Sequence, residues 1–414
     1  MQVIIVGAGI GGAALALSLE QLGIDYLLLE QATVFEEVGA GIQLSPNGTR
    51  ILAQLSIGPE LANFSTEPDF HKYTVWDTGE IVLTTPLKPR VRETYGHAYF
   101  HSHRADLIKA LTDRLNLQRI MMGRRVTQVV QDRNTVTVKT DDGDQLTADV
   151  LIAADGIHST IRNQLFVSDE PRPSGYVSWR GIADTDAISH LDIPVSAYVD
   201  MGPRLSFVYY YVSGGQRLNW LALGQTNDPK RESWSQTASR DEVIDAFSGW
   251  YDRPRQVIES TPNIFVTALH DREPLKTWVN GRVALLGDAA HAMLPYHAQG
   301  AVQSLEDAWV LARTLEQYPE KPMEALQRYE SLRYDRANLI VQQSRNAEGW
   351  YHVDTPAEID ARNARFRQTS DRLQGGFSPN STGSTATMPT RPPWVLTTNG
   401  VNCAPGHSLK LLSF

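Results

Sequence analysis

The feature that most constrains this chain is a glycine-rich turn near its amino-terminal end, between a predicted strand and a predicted helix. Residues Gln2–Val6 are nearly all apolar and β-branched, as expected for a strand buried on both faces of a parallel sheet. Gly7, Gly9 and Gly12 follow directly, and Ala13–Gln21 is predicted to be helical. In such a turn the first glycine permits the tight bend, the second lets the backbone approach a pyrophosphate, and the third allows close helix packing. Free amides at the helix N-terminus then favour the phosphates.

A carboxylate, Glu30, stands at the end of the second predicted strand. Asp25–Glu30 is a second apolar strand, so the beginning of the chain makes one βαβ unit. Glu30, at the end of that strand, is placed to accept hydrogen bonds from a ribose diol. A merely structural glycine turn is the alternative, and the strand, the helix and Glu30 together favour dinucleotide binding over it. On this pattern alone, FAD and NAD remain alternatives.

Composition narrows the class of protein. The 414 residues suit two domains or one large domain, and a net charge of −9 without a long basic run argues against nucleic acid as a partner. The single cysteine, Cys403, cannot close an intramolecular disulfide, which fits a reducing compartment. The sequence shows no basic leader and no apolar stretch of about 18 to 20 residues, the length that spans a bilayer. We therefore expect a cytoplasmic protein without a membrane partner.

Two further segments place an acidic residue and a glycine at the end of an apolar strand. Asp149–Arg162 reads DVLIAADGIHSTIR, and Arg282–Gly300 reads RVALLGDAAHAMLPYHAQG. With the three motifs in this order, the chain from residue 1 to about residue 350 resembles the class A aromatic-ring hydroxylases, which are single-component FAD monooxygenases. The resemblance implies bound FAD, NADH or NADPH as a transient reductant, dioxygen as co-substrate, and oxygen insertion through a flavin hydroperoxide.

The resemblance also assigns cofactor-binding residues. Asp288 is expected to bind the ribitol chain of FAD, and Arg104 to reach the cofactor. Asp155 and Gly156 would serve the flavin and the passing nicotinamide nucleotide. The helix that Gly300 opens can face the flavin, where its N-terminus would stabilise negative charge on the reduced ring by about 1 kcal/mol. The full predicted set is Gly7, Gly9, Gly12, Glu30, Arg104, Asp155, Gly156, Asp288, Gly300 and Ala301.

Within the family, the runs GAGIQLSPN, FHSHRADL and MLPYHAQGA are similar to hydroxylases of small hydroxylated aromatic acids, such as salicylate, 3-hydroxybenzoate and 6-hydroxynicotinate. Such substrates react best as phenolates, so a base near the phenol hydroxyl would raise the rate. His297 is our first choice, because it follows Pro295, which stiffens the flavin-facing loop, and because its ordinary pKa of about 6.5 suits proton transfer. A loop histidine that only packs or hydrogen-bonds the backbone is the alternative.

Three further residues are predicted to contact substrate. Tyr210 is chosen among three consecutive tyrosines because strand alternation sends Tyr209 and Tyr211 to the opposite face; sheet packing is its alternative role. Gln43 stands where some relatives carry a histidine that contacts substrate, which argues against a direct transfer of hydroxynicotinate specificity. Arg180 could hold a carboxylate or a cofactor phosphate, or form a structural ion pair.

We therefore expect an α/β fold with two parts. The first is a discontinuous, Rossmann-like FAD-binding domain of the glutathione-reductase type, and the second is a mostly antiparallel β-sheet domain for substrate. The predicted boundaries are 1–72, 97–173 and 268–345 for the FAD domain, 73–96 and 174–267 for the substrate domain, and 346–414 for a C-terminal helical segment with a disordered tail. Other local predictions are strands over Val126–Val138, Asp149–Ala153 and Val283–Leu286 and helices over Gln303–Leu315 and Met323–Gln343.

The tail from about Gly375 is rich in small and polar residues and has no periodicity. Its run Thr382–Pro389 is what a one-nucleotide shift gives from codons able to encode DWLYGYDA, and the relatives commonly end in a Trp-Leu-Tyr-x-Tyr-Asp segment. We therefore hypothesise that the tail, from somewhere before Thr382, is a frameshift product.

Other classes of function and site remain alternatives. An FAD-dependent oxidase or reductase without oxygen insertion, or a non-catalytic flavin-binding regulatory protein, would share the same motifs. His101 and His103 are spaced as metal ligands on a strand can be, but no third ligand is evident, so we expect no metal site. A monomer or a homodimer is expected.

Overall fold

A computed structural model of the protein describes residues 1–35, 40–225 and 236–374. Cys403, the tail from Gly375 and the run on which the frameshift hypothesis rests lie outside the described residues.

The strands of the described residues form four sheets. In chain order they are β1 (Gln2–Val6), β2 (Asp25–Glu30), β3 (Gly41–Leu44), β4 (Ser65–Thr66), β5 (Phe70–Val75), β6 (Ile81–Pro86), β7 (Phe100–His103), β8 (Ile120–Met122), β9 (Val126–Gln131), β10 (Val136–Thr140), β11 (Gln145–Ala148), β12 (Val150–Ala153), β13 (Arg172–Asp184), β14 (Ser196–Met201), β15 (Leu205–Val212), β16 (Arg217–Gln225), β17 (Ile264–Asp271), β18 (Val279–Asn280) and β19 (Val283–Leu285).

The α-helices of the same ranges cover the sheets. They are α1 (Ile10–Gln21), α2 (Pro46–Gln54), α3 (Gly58–Phe64), α4 (Arg90–Tyr95), α5 (Arg104–Thr112), α6 (Thr160–Leu165), α7 (Arg240–Ala246), α8 (Asp252–Glu259), α9 (Asp288–His291), α10 (Gly300–Gln317), α11 (Pro322–Tyr351) and α12 (Pro356–Gln374).

A six-stranded sheet carries the predicted nucleotide-binding unit. Its order is β18-β19-β12-β1-β2-β8, and every neighbouring pair is parallel except β18 with β19. Parallel strands end at the same edge, so the turns that follow β1, β2, β12 and β19 lie together at its carboxyl edge. The predicted strands Gln2–Val6 and Asp25–Glu30 are confirmed, and the first helix begins at Ile10 rather than at Ala13.

The prediction of one strand over Val126–Val138 is wrong. The chain reverses there, and β9 pairs with β10 in an antiparallel hairpin. The Asp132 side chain causes the reversal, because its Oδ1 accepts hydrogen bonds from Asn134 N–H at 2.7 Å and Thr135 N–H at 2.8 Å. The apolar–polar alternation continues through this short turn, so the pattern conceals it.

A seven-stranded sheet forms the predicted second part of the fold. Its order is β17-β13-β16-β15-β14-β5-β6, and every neighbouring pair is antiparallel except β14 with β5. The prediction of a mostly antiparallel second sheet is therefore confirmed. Its outer face packs under α7 and α8, while its inner face packs against α11, α12 and residues Leu294 and Tyr296.

A small sheet of order β3-β7-β4 joins the two large sheets. Gly41, in β3, donates its backbone N–H to the Asn219 Oδ1 of β16 at 2.6 Å, which links this small sheet to the inner face. The predicted domain boundaries at 72/73 and 267/268 fall inside β5 and β17, two strands of the seven-stranded sheet. The division of the chain into domains stays a prediction. Among the described helices, none combines the length and the apolar character that crossing a membrane requires.

Candidate active site

The glycine turn leaves room for a ligand on one side only. Gly7 has a φ of +99°, and a Cβ there would lie 2.4 Å from the Ala154 carbonyl oxygen, so only glycine fits. A Cβ at Gly12 would lie 1.9 Å from the Gly7 carbonyl oxygen, because α1 packs directly on the turn. A Cβ at Gly9 would meet no atom of the described residues within 4 Å. Space is therefore open at Gly9, the position where the sequence predicts the pyrophosphate.

Glu30 is fixed beside this turn by two backbone hydrogen bonds. Its Oε2 accepts from Ala8 N–H at 2.7 Å, and its Oε1 accepts from Ala32 N–H at 2.8 Å. The carboxylate thus stands at the carboxyl edge of the sheet, one strand away from the turn. This location suits a ribose bound next to a pyrophosphate, and the contact itself stays a prediction.

Asp155 and Gly156 follow β12 at the same edge. Asp155 Oδ2 accepts a hydrogen bond from Ile161 N–H at 3.4 Å, whereas Oδ1 is buried without a hydrogen-bond partner among the described residues. Burial raises the pKa of this carboxyl, and a hydrogen bond from Ser159 opposes the rise. Gly156 has a φ of +79°, a left-handed conformation that favours glycine. A buried acceptor without a donor is a group that a cofactor hydroxyl can satisfy.

Asp288 follows β19 and lies close to Arg104, the first residue of α5. The protein around Asp288 removes water from its carboxyl and so raises the carboxyl pKa, although part of the side chain remains exposed to solvent. The charges of His291 and Arg104 oppose that rise, so these two residues lie near the carboxyl. The structure therefore brings two predicted cofactor residues, Arg104 and Asp288, into one place.

A fully buried carboxylate, Asp307, holds the backbone on which Asp288 stands. Its Oδ2 accepts hydrogen bonds from Gly287 N–H at 3.0 Å and from His291 Nε2 at 2.6 Å. Its Oδ1 accepts from Arg333 Nε at 2.7 Å. Burial raises the pKa of Asp307, but the neighbouring His291 and Arg333 lower it more, so its pKa lies below the ordinary value. Asp307 therefore carries negative charge at neutral pH and ties the β19 turn to α10 and α11.

A buried polar network joins the loop before α10 to the segment after β3. Gln299 Nε2 donates to Ser45 Oγ at 3.0 Å, and Asn47 Nδ2 donates to Gln299 Oε1 at 3.2 Å and to Glu306 Oε1 at 2.7 Å. Glu306 also forms an ion pair with Arg333. Burial alone would raise the pKa of Glu306, but the positive charge of Arg333 lowers it more, so the pKa lies below its usual range. The loop from Pro295 to Gly300 thus has a fixed position relative to β3.

His297, the predicted base, faces α11. It hydrogen-bonds the backbone at Gln343, and burial lowers the pKa of its imidazole to about 4. Its neighbour Tyr296 contacts the same helix end, with its hydroxyl 3.1 Å from His352 Nε2. His297 Nδ1 is buried without a hydrogen-bond partner among the described residues, so both interpretations of His297 fit this position and its role as a base stays a prediction. Pro295, at the start of this 3-10 turn, is exposed.

Tyr210 lies on the inner face of the seven-stranded sheet, and Tyr209 and Tyr211 lie on the outer face, as the alternation predicts. The Tyr210 ring packs against the His101 ring at a centroid distance of 4.3 Å, with the two ring planes tilted by 38°. A hydrogen bond connects Tyr210 with Gln43, which is the direct cross-strand partner of His101. The structure thus brings the predicted substrate residues Tyr210 and Gln43 together.

Arg180 is on the same inner face but farther from these two. It pairs with Leu221 of β16, whereas Tyr210 pairs with Asn219 of that strand, so β16 separates the two side chains. Neighbouring strands are about 4.8 Å apart and two residues along a strand span about 6.6 Å, so the backbones of Arg180 and Tyr210 lie about 12 Å apart and their side chains can reach toward each other. Such a spacing can accommodate the two ends of a single-ring acid.

The described residues include no group of three or more His, Cys, Asp or Glu side chains arranged to hold a metal ion. His101 instead packs among aromatic rings, and burial holds its pKa well below the ordinary value.

Comparison with known proteins assigns the chain to a family. The model of the "FAD binding domain" family matches residues 1–344. The chain is 34% identical over 371 residues to 3-amino-4-hydroxybenzoate 2-monooxygenase of Streptomyces cremeus, covering 90% of this chain and 93% of the relative. It is 36% identical over 358 residues to 3-hydroxybenzoate 6-hydroxylase of Klebsiella oxytoca, covering 85% and 89%. The chain belongs to this FAD-binding family.

The solved structures agree with the family. HpxO of Klebsiella pneumoniae, complexed with FAD and uric acid, superposes with a TM-score of 0.81 at 29% identity, covering 91% of this chain and 95% of HpxO. The prediction of an FAD-dependent monooxygenase with a Rossmann-like cofactor part is confirmed.

The carboxyl edge of the six-stranded sheet fits FAD. The open space at Gly9, the unpartnered Asp155 Oδ1 and the Arg104–Asp288 proximity are features that a bound dinucleotide would use. Each role of these individual residues stays a prediction until FAD binding is measured.

Sequence reasoning missed several residues that shape the site. These are Tyr99, Asn47, Gln299, Glu306, Asp307 and Arg333. Glu306 and Asp307 carried a signal, since two adjacent acidic residues in a mostly apolar helical stretch must be paired if buried. Tyr99 carried none, because its partner Gln43 is 56 residues away in sequence.

Proposed function

We propose that this FAD-dependent monooxygenase hydroxylates a small aromatic or N-heteroaromatic carboxylic acid that already carries a ring hydroxyl, with NADH or NADPH as reductant. The names of the relatives support this substrate class, since one acts on 3-amino-4-hydroxybenzoate and another on 3-hydroxybenzoate. The observation that carries it is the inner face of the second sheet. There, Tyr210 shares one face with the guanidinium of Arg180, and Gln43 of the neighbouring small sheet hydrogen-bonds Tyr210.

The proposed cofactor residues divide into two groups. Gly7, Gly9, Gly12 and Glu30 would hold the adenosine diphosphate part of FAD, because they form the glycine turn and the carboxylate beside it. Arg104, Asp155, Gly156, Asp288, Gly300 and Ala301 would hold the ribitol and the flavin. When bound, FAD supplies the redox chemistry, accepting a hydride equivalent from NADH or NADPH and activating dioxygen.

The protein's own contribution is to bind, orient and exclude water. Gln43 and Tyr210 would hold one polar substituent of the acid, and Arg180 would hold a second one by two parallel hydrogen bonds. Pro295 stiffens the loop that the Gln299 network fixes, which keeps the far wall of the site rigid. Because burial lowers the pKa of His297 to about 4, its imidazole is available as a proton acceptor at neutral pH but is a weak base, and its role as a base stays a prediction.

The test uses the purified holoenzyme and a panel of aromatic acids. We expect a yellow protein whose NADH or NADPH oxidation in air accelerates with a hydroxylated aromatic acid, and a product that contains one oxygen atom from isotopically labelled dioxygen. Peroxide release without label in the product would show an oxidase. Failure of NADH and NADPH to reduce the flavin anaerobically, with every acid of the panel, would indicate a flavin-binding protein without turnover.

The specific acid, any loss of its carboxylate, a cytoplasmic location and a monomeric or homodimeric state stay predictions.

A further inference from the structure

Three side chains form a hydrogen-bonded row beside the inner face: Gln43 of β3, Tyr99 just before β7, and Tyr210 of β15. The two tyrosines are buried, with relative exposures of 4% and 2%, whereas Gln43 is partly exposed. Two residues after Gln43, beyond the end of β3, Ser45 accepts a hydrogen bond from the loop residue Gln299. The Gln43 amide is therefore the group of this row that a ligand between the sheet and the loop can reach.

The first hydrogen bond fixes one end of that amide. The Tyr99 hydroxyl donates to Gln43 Oε1 at 2.5 Å. A carbonyl oxygen can only accept, so this hydroxyl proton is committed to the amide. Gln43 Oε1 consequently points toward Tyr99.

The second hydrogen bond fixes the other end. Burial raises the pKa of Tyr210, and the hydrogen bond with Gln43 opposes that rise. Gln43 Oε1 already accepts from Tyr99, so the amide presents its Nε2 group to its other neighbours. Nε2 carries two N–H groups and one phenol oxygen can take only one of them, which leaves an N–H for another acceptor.

No member of this row is charged at neutral pH. Burial raises the pKa of Tyr99 as well as that of Tyr210, so both phenols keep their protons. His101, whose ring packs against Tyr210, is neutral because burial lowers its pKa. The row thus presents a neutral N–H donor, whose orientation two protonated phenols maintain.

We propose that Tyr99 and Tyr210 hold the Gln43 amide so that its free N–H, rather than its carbonyl, binds a carboxylate oxygen of the aromatic substrate. Gln43 is the specificity-determining residue in this arrangement, and Tyr99 is a positioning residue. The inference rests on the proposed function and adds to it that the substituent next to Gln43 is a hydrogen-bond acceptor.

The first test compares the best acid of the panel with its carboxamide, which is neutral and carries N–H donors. Gln43→Glu keeps the acceptor for Tyr99 but replaces the free N–H by a carboxylate oxygen. For Gln43→Glu we expect the KM for the acid to rise roughly tenfold or more, because the variant loses a hydrogen bond to a charged group. The KM for the carboxamide should rise less. Gln43→Met removes the N–H without adding charge and should raise KM for the acid with a smaller change in kcat.

The second test concerns orientation. Tyr99→Phe frees the amide to rotate, so the preference for acid over carboxamide should fall while bound FAD and kcat change little. Tyr211→Phe is the matched control, because it also removes a buried tyrosine hydrogen bond, to the Ile193 carbonyl, on the opposite face of the sheet. It should leave the acid preference unchanged.

These results separate the inference from the function on which it rests. If no acid stimulates NADH or NADPH oxidation by the wild-type holoenzyme, the proposed function fails. If the wild type incorporates labelled oxygen but Gln43→Glu, Gln43→Met and Tyr99→Phe keep the wild-type ratio of KM values for acid and carboxamide, the inference is overturned and the proposed function stands. Should Gln43→Glu fold poorly, the Tyr99→Phe ratio decides.

Discussion

Replacing Asp307 by asparagine should weaken both the fold and FAD binding, because this buried carboxylate serves three donors. It accepts hydrogen bonds from Gly287 at 3.0 Å, His291 at 2.6 Å and Arg333 at 2.7 Å. Asparagine keeps the shape but removes the charge and turns one oxygen into an N–H donor. At least one of the three donors would then face another donor.

The expected size follows from the pairing. Removing one partner of a buried ion pair costs about 3–5 kcal/mol, because the other charge stays buried. Arg333 also pairs with Glu306, so the lower end, about 3 kcal/mol of unfolding free energy, is expected. The Gly287 turn, which places Asp288, loses its anchor in the same variant, so the Kd for FAD should rise as well.

Urea unfolding of the apoprotein, followed by circular dichroism, measures the first effect, and titration of flavin fluorescence measures the second. Asp113→Asn is the matched control, since Asp113 forms an exposed ion pair with Lys109 at 2.6 Å and should change neither quantity measurably. An Asp307→Asn protein with the urea midpoint and FAD affinity of the Asp113→Asn control would refute the reasoning.

Three further predictions concern other residues of the site. Gly9→Ala should fold with wild-type stability but lose FAD affinity, because its Cβ enters the open space, whereas Gly12→Ala should destabilise the fold itself, since its Cβ would lie 1.9 Å from a backbone oxygen; equal thermal shifts of the two apoproteins would contradict this. His297→Gln should leave the shape of the plot of kcat/KM against pH unchanged between about pH 6 and 8, because the wild-type imidazole is already neutral there. If the variant loses an ionisation that the wild type shows in this range, His297 acts as the base. Glu306 and Asp307 have lower pKa values in the folded state than in the unfolded state, so the stability that they supply is complete above about pH 4 and is lost as the pH falls below it. Acid titration of the apoprotein, followed by circular dichroism, measures this loss. An Asp307→Asn variant as acid-sensitive as the wild type would contradict the prediction.

The cofactor half of the site could be predicted from sequence because it depends on local patterns. Glycines and carboxylates follow apolar strands directly, and parallel strands deliver whatever follows them to one edge. Gly7, Glu30, Asp155 and Asp288 therefore converge once β2, β1, β12 and β19 are neighbours. No knowledge of side-chain packing is needed for that step.

The substrate half depends on register and packing between distant segments. Gln43, Tyr99 and Tyr210 meet only because β3 pairs with β7 and β15 lies beside them, and no local pattern reports these pairings. The orientation of His297 similarly depends on how closely α11 approaches the loop. A sequence pattern can place such a residue on a loop, but it does not show which neighbouring group hydrogen-bonds the nitrogens of its imidazole ring.

This difference has a consequence for specificity. The cofactor edge is built from backbone turns whose geometry tolerates little change, as the Cβ contacts at Gly7 and Gly12 show. The substrate side presents side chains whose exchange leaves the strands intact. Gln43 of the small sheet is the clearest example, because its backbone pairs with His101 whatever side chain it carries. Variants at Gln43 should therefore change which aromatic acid binds without changing FAD content, and FAD occupancy measured beside substrate preference in the same preparation separates the two properties.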